Sequence, residues 1–417
     1  MISITTTPPN LLPNCSMEKT EMSNLSKLST PCFIFDKKEF ERSISGFVAA
    51  LKDFFPSYAI GYSVKTNSFP FLLEIVKKNN CLAEVVSFDE YELAILCGFN
   101  PSQIIYNGPM KSEKTFLEAI SNGAVVNIET KRELEWLKNL PFNHTYNVGI
   151  RLNINISNIS PEDADGDDDN SRFGFSDHTS EFFAALEFIK KLPNVNLKGL
   201  HIHRTAHSRS SRFYQRSVEY ACQIISKYNL KLDYLDVGGG YFGIFPNKPT
   251  YKEYAKVIYN SLKKYNQENL TVIVEPGNAL VASCFSFLSE VIDTKKVEDN
   301  TVFVTTDGSR NDIDPFFRKS DYIKDIILKD NEEKRLIIPL QIIGGCTCLE
   351  YDRLFSLTNY PELKVSDRIL YNNVGAYTST LSPLFIRFFP SVYSKLEDGS
   401  YMLVRRTWSA NDFYKVR

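Results

Sequence analysis

The sequence predicts an α/β protein: a (β/α)8 barrel followed by a mostly β C-terminal domain. Between about residues 30 and 285, short apolar stretches of strand length alternate with amphipathic stretches of helical length, which is typical of parallel α/β folds. The alternation provides eight strand–helix units, the number that closes a TIM-type barrel. A doubly wound open sheet is the alternative that the pattern alone leaves open. After residue 285 the segments become β-rich and separated by turns, without long helices.

The elements of the barrel follow one another in a regular order. The predicted strands are short and apolar, and they cover residues 59–64, 83–86, 103–106, 124–128, 147–152, 199–203, 232–237 and 271–274. The helices predicted between them cover residues 69–79, 87–97, 112–121, 130–140, 181–191, 210–228 and 251–265. Further strands are predicted at residues 302–306, 335–343, 368–371 and 401–405. We therefore expect an N-terminal segment (1–30), partly flexible and able to join the β domain, then the barrel (31–285) and the β domain (286–417).

Composition excludes several classes of function. With 417 residues, 43% of them hydrophobic, the chain can build the cores of about two or three domains. The net charge is −2 and no basic block stands out, so neither nucleic acid nor an anionic membrane surface is an expected partner. No apolar run reaches the length of about 20 residues that spans a bilayer, and the polar N-terminus lacks the pattern of a secretion signal.

The eight cysteines and five histidines predict neither disulfides nor a metal site. The cysteines are scattered, no pair has C-x-x-C spacing, and the histidines form no zinc pattern with them. A reduced, cytoplasmic protein is expected. The acidic segment 157–170 interrupts the barrel pattern as a solvated surface loop, or alternatively as a mobile lid, and its spacing does not match a calcium-binding EF-hand.

Chemically useful residues follow directly after predicted barrel strands, where the mouth of a barrel lies. A lysine in that place, here Lys65, is partly desolvated, so its amine can act as a nucleophile or form a Schiff base. The run Gly238–Gly240 allows backbone N–H groups to approach an anion such as phosphate, and a tight turn is the alternative. Glu275 ends another strand, and a buried carboxylate there needs a partner, such as the protonated nitrogen of a pyridine ring.

Two further groups of side chains are candidates for the same site. His201 and His203 flank Ile202 at the end of a predicted strand, and we expect them to face opposite sides, one against a flat cofactor and the other in a structural role. In the β domain, Cys348 and Tyr377 carry a thiol and a phenol that can donate a proton or bind phosphate. Taken alone, Cys348 also fits the role of a small buried hydrophobe.

The ordered set of motifs resembles the fold-type III decarboxylases that use pyridoxal phosphate (PLP), the family of diaminopimelate and ornithine decarboxylases. The resemblance runs from about Thr30 to the end of the chain. The matching segments are TPCFIFD (30–36), YSVKTN (62–67), AEVVSFDEYELAILCGF (83–99), IIYNGPMKS (104–112), SRFGF (171–175), GLHIH (199–203), LDVGGGY (235–241), VEPGNALVA (274–282), GCTCLEYD (345–352) and GAYT (375–378). Each motif is ambiguous alone, but their shared order and spacing are specific.

The resemblance implies a role for each matching residue. Lys65 resembles the Schiff-base lysine, His203 the histidine that stacks on the pyridine ring, and Glu275 the partner of the ring nitrogen. The groups expected at the phosphate are Gly238, Gly239, Gly240, Gly277 and Tyr377. Cys348 resembles the cysteine that reaches across a homodimer interface and helps to protonate the product, so we expect a homodimer with shared active sites.

Decarboxylation is preferred to racemisation on the same fold. Racemases of this fold place an arginine at the ring nitrogen, whereas the Glu275 carboxylate stabilises a protonated ring that accepts the electron pair left by CO2. The separate β domain and Cys348 also favour a decarboxylase. A PLP amino-acid racemase and a non-catalytic PLP-binding protein are the competing classes.

Three positions depart from the pattern of the relatives. Asn278 follows the E-P-G triplet where diaminopimelate decarboxylases carry an arginine, and Asp314 stands about where they carry a second one. Leu349 follows the cysteine where Glu or Asp holds the distal ammonium of the substrate. A buried charge without a partner costs several kcal/mol, so diaminopimelate, ornithine and lysine are not the expected substrates. Strand alternation is expected to turn Glu350 away from the site.

The segment after His203 is also unusual. Arg204, together with His207 and Arg209, is a candidate to hold an anionic substrate, with a surface role as the alternative. We predict a specialised decarboxylase of siderophore, antibiotic or modified-peptide biosynthesis, whose amino acid is linked to a peptide, nucleotide, siderophore or carrier. Diaminopimelate decarboxylase of lysine biosynthesis is the alternative.

Overall fold

The computed structural model describes residues 23–164, 170–204, 206–298, 300–330 and 334–415. These residues form a barrel and a β domain, each built around its own sheet. Among the described helices, none combines the length and the apolar character that crossing a membrane requires.

Eight parallel strands close into a barrel. The strands up to residue 274 are β1 (Cys32–Asp36), β2 (Tyr58–Ser63), β3 (Leu82–Ser87), β4 (Ile104–Met110), β5 (Val125–Ile128), β6 (Tyr146–Asn153), β7 (Phe175–Ser176), β8 (Val195–His201), β9 (Tyr234–Asp236) and β10 (Thr271–Val274). Neighbours pair in the order β2–β3–β4–β5–β6–β8–β9–β10, and β10 pairs back with β2. The predicted barrel is therefore confirmed, and the open sheet is excluded.

Most barrel helices begin at a side chain that caps their free backbone N–H groups. The described helices of this region are α1 (Lys37–Lys52), α2 (Pro70–Lys78), α3 (Phe88–Leu96), α4 (Glu113–Ser121), α5 (Lys131–Trp136), α6 (Ile156–Ile159), α7 (Glu181–Lys190), α8 (Ser211–Lys227), α9 (Tyr251–Lys264) and α10 (Asn278–Val281). The side chains of Asp36, Ser87, Ser112, Thr130, Ser210 and Thr250 each accept a hydrogen bond from the first turn that follows. Such caps stabilise a helix start by about 1 kcal/mol each.

The β domain is a second, nine-stranded sheet. Its remaining strands are β11 (Phe285–Glu298), β12 (Thr301–Thr306), β13 (Lys324–Ile327), β14 (Ile337–Gly344), β15 (Arg353–Pro361), β16 (Arg368–Tyr371), β17 (Ser391–Lys395) and β18 (Tyr401–Arg405). Short helices also occur at α11 (Arg310–Ile313) and α12 (Ala410–Tyr414).

The first strand lies in the β domain and not in the barrel, where the sequence places it. β1 lies inside the nine-stranded sheet, antiparallel to β11 and parallel to β17. Residues 32–36 therefore belong to the β domain, although the expected boundary assigns them to the barrel. The strand character of this segment is local and visible in the sequence, whereas its partners are about 250 and 360 residues away and depend on the tertiary fold.

Phenylalanine side chains join the two domains next to the barrel mouth. Phe35 packs against Phe71 and Phe285, with ring centroids 5.3 and 5.0 Å apart. Two hydrogen bonds tie the turn after β2 to the β domain: Asn67 Nδ2 donates to Gly375 O at 3.0 Å, and Tyr377 N donates to Thr66 O at 2.9 Å. The β domain therefore places Tyr377 beside Lys65.

The close packing inside the barrel predicts a large effect of one methyl group. A Cβ at Gly199 on β8 would lie 1.9 Å from the ring of Tyr234. Because overpacking of a dense core costs about 1–3 kcal/mol, we expect Gly199→Ala to lower the thermal unfolding midpoint by several degrees. Gly46→Ala is the matched control, since its Cβ would meet nothing closer than 3.6 Å within α1. An unchanged midpoint for the Gly199 variant would contradict the packing.

Candidate active site

Residues from several barrel strands and from the β domain surround one cavity of about 100 Å3. It lies at the carboxyl ends of the strands, where barrel enzymes place their chemistry. Its lining residues are Ser63, Lys65, Thr66, His203, Arg209, Gly239, Gly240, Glu275, Gly277, Asn278 and Tyr377. Most of the residues expected at the cofactor are therefore brought together.

Lys65 lies in the turn after β2 and pairs with a buried carboxylate. Its Nζ donates to Glu84 Oε2 at 2.8 Å, and Ser63 Oγ donates to the same oxygen at 2.5 Å. Burial favours the neutral amine, but the charges of Glu84, Tyr377 and Glu275 outweigh it and raise the pKa of Lys65 above its ordinary value. About 34% of the Lys65 side chain remains exposed, so the amine is held charged at the cavity wall.

Two asparagines connect the carboxylates of neighbouring strands. Asn107 Nδ2 donates to Glu84 Oε1 at 3.1 Å and to Glu275 Oε1 at 2.5 Å. Asn127 Nδ2 donates to Asn107 Oδ1 at 2.9 Å and to Asp236 Oδ2 at 3.2 Å. The side chains on β3, β4, β5, β9 and after β10 therefore form one hydrogen-bonded network in the barrel interior.

Glu275 and Asp236 are buried carboxylates that interact directly. Burial and the neighbouring Glu275 raise the pKa of Asp236 well above its ordinary value. We infer that Asp236 keeps a proton, which reduces the negative charge that the pair buries. His201 Nε2 lies 3.6 Å from Glu275 Oε2, and these three side chains group closely enough to bind an ion, although none is expected from the sequence.

The expected orientation of the two histidines is wrong. His201 and His203 do not face opposite sides: their rings lie 6.2 Å apart and nearly parallel, at an interplanar angle of 21°. Residues two apart in an extended chain point to the same face, so alternation, correctly applied, places both imidazoles on one side. Burial and the nearby Arg151 charge lower the pKa of both imidazoles well below the ordinary value, and both are neutral near pH 7.

Neighbouring residues approach Gly238 and Gly239 so closely that no side chain fits at these two positions of the glycine loop. A Cβ at Gly238 would lie 2.5 Å from His203 Nδ1, and one at Gly239 would lie 2.3 Å from Glu275 O. Gly239 N also donates to His203 Nδ1 at 3.0 Å. At Gly277, a Cβ would lie 2.0 Å from Thr66 Oγ1. These glycines let the loop, the imidazole and the turn after β2 meet at the cavity.

Other expected site residues lie away from this cavity. Cys348 is exposed, and Leu349 is half-buried in the loop between β14 and β15. Asp314 is turned into its own loop, where its carboxylate accepts hydrogen bonds from Arg310 and from the backbone of Lys319. Asp314 is not among the described residues that line the cavity.

The loop after β14 also corrects the expected orientation of Glu350. Asp352 N donates to Leu349 O at 2.9 Å, so residues 349–352 form a turn rather than a strand. Strand alternation does not apply there, and Glu350 is exposed at the tip of the turn, close in sequence to Cys348.

The unusual segment after His203 is only partly near the site. Arg209 lines the cavity, whereas Arg204 is half-buried and is not among the described lining residues. The expected acidic loop 157–170 lies partly outside the described residues, since 165–169 are not among them. Its described part is anchored by Asp163, which accepts hydrogen bonds from Ser208 and Ser210 at 2.6 and 2.8 Å.

Comparison with known proteins identifies the family. A family model described as "Pyridoxal-dependent decarboxylase, pyridoxal binding domain" matches residues 41–282, more than half of the chain. The chain belongs to this family. It is 25% identical to a probable chloroplastic diaminopimelate decarboxylase of Oryza sativa, over 93% of this chain and 79% of that protein. It is 26% identical to diaminopimelate decarboxylase of Helicobacter pylori, over 93% and 95% of the two chains.

The fold agrees with solved structures of the family. The crystal structure of diaminopimelate decarboxylase from Helicobacter pylori in complex with L-lysine superposes with a TM-score of 0.78 at 24% identity, covering 93% of this chain and 96% of that one. The protein is a PLP-dependent carboxy-lyase of the ornithine, arginine and diaminopimelate decarboxylase type.

The residues of the cavity fit PLP. The cavity offers an amine at Lys65, a buried carboxylate at Glu275, a phenol at Tyr377 and a glycine loop with little side-chain bulk. Thr66 Oγ1, which also lines the cavity, is buried without a hydrogen-bond partner among the described residues. This set contains a group for each polar part of the cofactor: its aldehyde, its ring nitrogen and its phosphate.

Sequence reasoning missed three members of the polar network. Glu84, Asn107 and Asn127 are each fully buried on consecutive barrel strands. The available signal was a polar residue within an otherwise apolar strand, as in A-E-V-V, I-I-Y-N and V-V-N-I. A buried polar side chain needs partners, so three such residues on neighbouring strands predict a shared network.

The neutral, buried His201 predicts a pH dependence of stability. In the unfolded chain a histidine has a pKa of about 6.5, so below that pH the unfolded state binds a proton that the folded state does not. Stability is therefore lost as the pH falls. Relative to His201→Gln, we expect the wild type to lose about 1 kcal/mol of unfolding free energy per pH unit below pH 6. Urea unfolding at pH 7, 6 and 5 measures this, and parallel pH profiles would contradict it.

Proposed function

We propose that the protein removes the α-carboxylate of a specialised amino acid whose far end carries no free ammonium, one linked to a peptide, nucleotide, siderophore or carrier. PLP supplies, when bound, a ring that accepts the electron pair of the bond to CO2. The proposal rests on Leu349, an apolar side chain directly after Cys348, and on the lining residues of the cavity.

Lys65 is proposed to hold the cofactor covalently, and Glu275 to hold its ring nitrogen. Glu275 suits this role because Asn107 fixes one of its oxygens and because Asp236 carries the proton of the carboxylate pair. A negative charge at that place favours the protonated form of a nearby base. Gly238, Gly239, Gly240, Gly277 and Tyr377 are proposed to surround the phosphate.

His203 is proposed to form one flat wall of the ring site. Gly239 N donates to its Nδ1 at 3.0 Å, and Arg151 Nη2 donates to its backbone oxygen at 3.0 Å. These contacts fix the imidazole and leave it neutral. A neutral wall does not repel a protonated ring, which a charged imidazolium would do.

Cys348 is proposed to act in the site of a second copy of the chain. Its side chain is exposed and does not line the cavity of its own protomer. In a homodimer with shared sites, the thiol returns a proton to the carbon that has lost CO2. Leu349 is then proposed to face the far end of the bound amino acid, whereas Asp314, held by Arg310 and Lys319 in its own loop, and Arg204 are not supported as substrate contacts.

The substrate class follows from the charges that the cavity offers. Among the described lining residues the carboxylate is Glu275, which the ring nitrogen is proposed to occupy. An ammonium at the far end of the substrate then has no acidic partner in the same protomer, and leaving it unpaired costs several kcal/mol. A neutral or conjugated tail avoids that cost.

Diaminopimelate is the second candidate substrate, and the comparisons favour it more than the first. Relatives named diaminopimelate decarboxylase align over 93% of this chain. The exposed Glu350 at the tip of the 349–352 turn also provides an acid beside Cys348. In a shared site the Glu350 carboxylate supplies the negative charge that the leucine at position 349 does not.

Substrate assays distinguish the two candidates. We expect kcat/KM for Nε-acetyl-lysine to exceed that for lysine by about tenfold or more, because only the free ammonium needs an acidic partner. Leu349→Glu should reverse this order. Both enantiomers and meso-diaminopimelate are tested alongside.

Efficient turnover of meso-diaminopimelate that is lost in Glu350→Gln would instead establish the second candidate. Exchange of the α-proton in heavy water without release of CO2 would indicate a racemase and exclude both.

Mixing two inactive variants tests the shared site. Lys65→Ala and Cys348→Ala should each lack activity, but random re-association of their subunits produces hybrid dimers with one intact site. We expect about a quarter of the wild-type activity to return. Cys346→Ala, which alters the thiol two residues away, is the control and should remain active. No recovery, although mass spectrometry shows hybrid dimers, would contradict a shared site.

A further inference from the structure

The cofactor phosphate requires positive charge that the expected phosphate residues do not supply. A phosphate monoester carries a charge of about −1.5 to −2 near pH 7. The glycine loop offers only backbone N–H groups, Tyr377 offers a hydroxyl group and no cation, and Asn278 stands where relatives in the family carry an arginine. Among the described residues that line the cavity, the basic side chains are Lys65, His203 and Arg209.

Two of these three groups are not available to the phosphate. Lys65 pairs with Glu84 at 2.8 Å and is proposed to bind the aldehyde. His203 is neutral, since burial and the Arg151 charge lower its pKa, and its Nδ1 accepts a hydrogen bond from Gly239 N. Arg209, by contrast, keeps its charge at every physiological pH.

We propose that Arg209 supplies the cation that binds the cofactor phosphate. It lines the cavity together with Gly239 and Gly240. Within the described residues its guanidinium makes no ion pair and no hydrogen bond, and its recorded contact is with the ring of Phe242, whose centroid lies 5.2 Å away. A half-buried guanidinium without an anion beside the expected phosphate loop is a site for one. The inference rests on the proposed place of the phosphate at that loop.

The backbone of Arg209 is held rigidly for this purpose. Its φ of +45° lies in the left-handed region, which a residue other than glycine rarely adopts. Tyr254 Oη donates to Arg209 O at 2.6 Å. Tyr254 packs against Tyr214, whose hydroxyl donates to Gly239 O at 2.9 Å. Two tyrosines therefore connect the backbone of Arg209 to the glycine loop and fix their separation.

The geometry also explains how the chain tolerates Asn278. Asn278 begins α10 directly after Gly277 and lines the same cavity as Arg209. One cation in the cavity is enough to balance most of the phosphate charge, whichever position carries it. Relatives carry a positive charge directly after the E-P-G triplet, whereas this chain carries it on Arg209, in the segment after His203.

Cofactor affinity, measured on protein stripped of PLP, tests the proposal. Titration followed by absorbance should show that Arg209→Gln raises the Kd for PLP about 100-fold, since a charge-assisted contact is lost, while Arg209→Lys costs about tenfold. Pyridoxal, which lacks the phosphate, should bind wild type and Arg209→Gln with Kd values within about threefold. This comparison separates loss of the phosphate contact from general damage to the site.

Two further variants complete the design. Lys248 also contacts the Phe242 ring, at 4.9 Å, but does not line the cavity, so Lys248→Gln should leave the Kd unchanged. Arg209→Gln combined with Asn278→Arg should regain at least about tenfold of the lost PLP affinity, because the cation returns to the same cavity.

Either of two results would overturn the role of Arg209: an unchanged Kd for PLP in Arg209→Gln, or an equal loss of affinity for pyridoxal. Failure of the proposed function has a different signature. If borohydride reduction of the wild type with PLP leaves no mass adduct on Lys65, the proposed attachment itself is wrong, whatever the Arg209 variants show.

Discussion

Three buried carboxylates, those of Glu84, Asp236 and Glu275, determine how the barrel mouth is built. Each lies almost fully out of water, where an uncompensated negative charge is costly. The chain compensates them with different partners: an ammonium at Lys65 for Glu84, a proton for Asp236, and the Asn107 amide for Glu275. Of the three carboxylates, Glu275 is the one that lines the cavity, where it is proposed to meet a cationic ring nitrogen.

The positions of the remaining groups follow from that distribution of charge. The glycine loop and Arg209 lie around the same cavity, so a bound molecule with a cationic ring and an anionic substituent meets a complementary charge at each end. His203 lines the same cavity and is neutral, so it adds no charge to either of these groups. The junction between the two domains also shapes the cavity. The hydrogen bond from Tyr377 N to Thr66 O holds the β domain against the turn that carries Lys65.

The barrel was predictable from the sequence because its signals are local: apolar strands, amphipathic helices and polar residues directly after strand ends. The placement of β1 in the β domain was not predictable in this way, since pairing with β11 and β17 joins residues far apart in the chain. The same limit applies to the site. Lys65 and Glu275 were recognised from motifs, whereas Asn107 matters through hydrogen bonds to two other strands. The alternation rule failed for Glu350 because it lies in a turn outside the regular strands, whereas for His203 the rule itself places it on the same side as His201, as the structure does.

The residues proposed to bind the cofactor and those proposed to select the substrate lie on different parts of this molecule, so the proposed selectivity can change while the cofactor site is kept. The groups proposed to bind the cofactor are fixed by barrel strands and their buried network, where a substitution disturbs several partners at once. Leu349 and Glu350 lie in an exposed turn of the β domain, held by its own backbone bond from Asp352. Substitutions in such a turn leave the barrel intact. We therefore expect a change at position 349, the proposed selectivity position, to alter which amino acid is accepted while the barrel groups that serve decarboxylation stay in place.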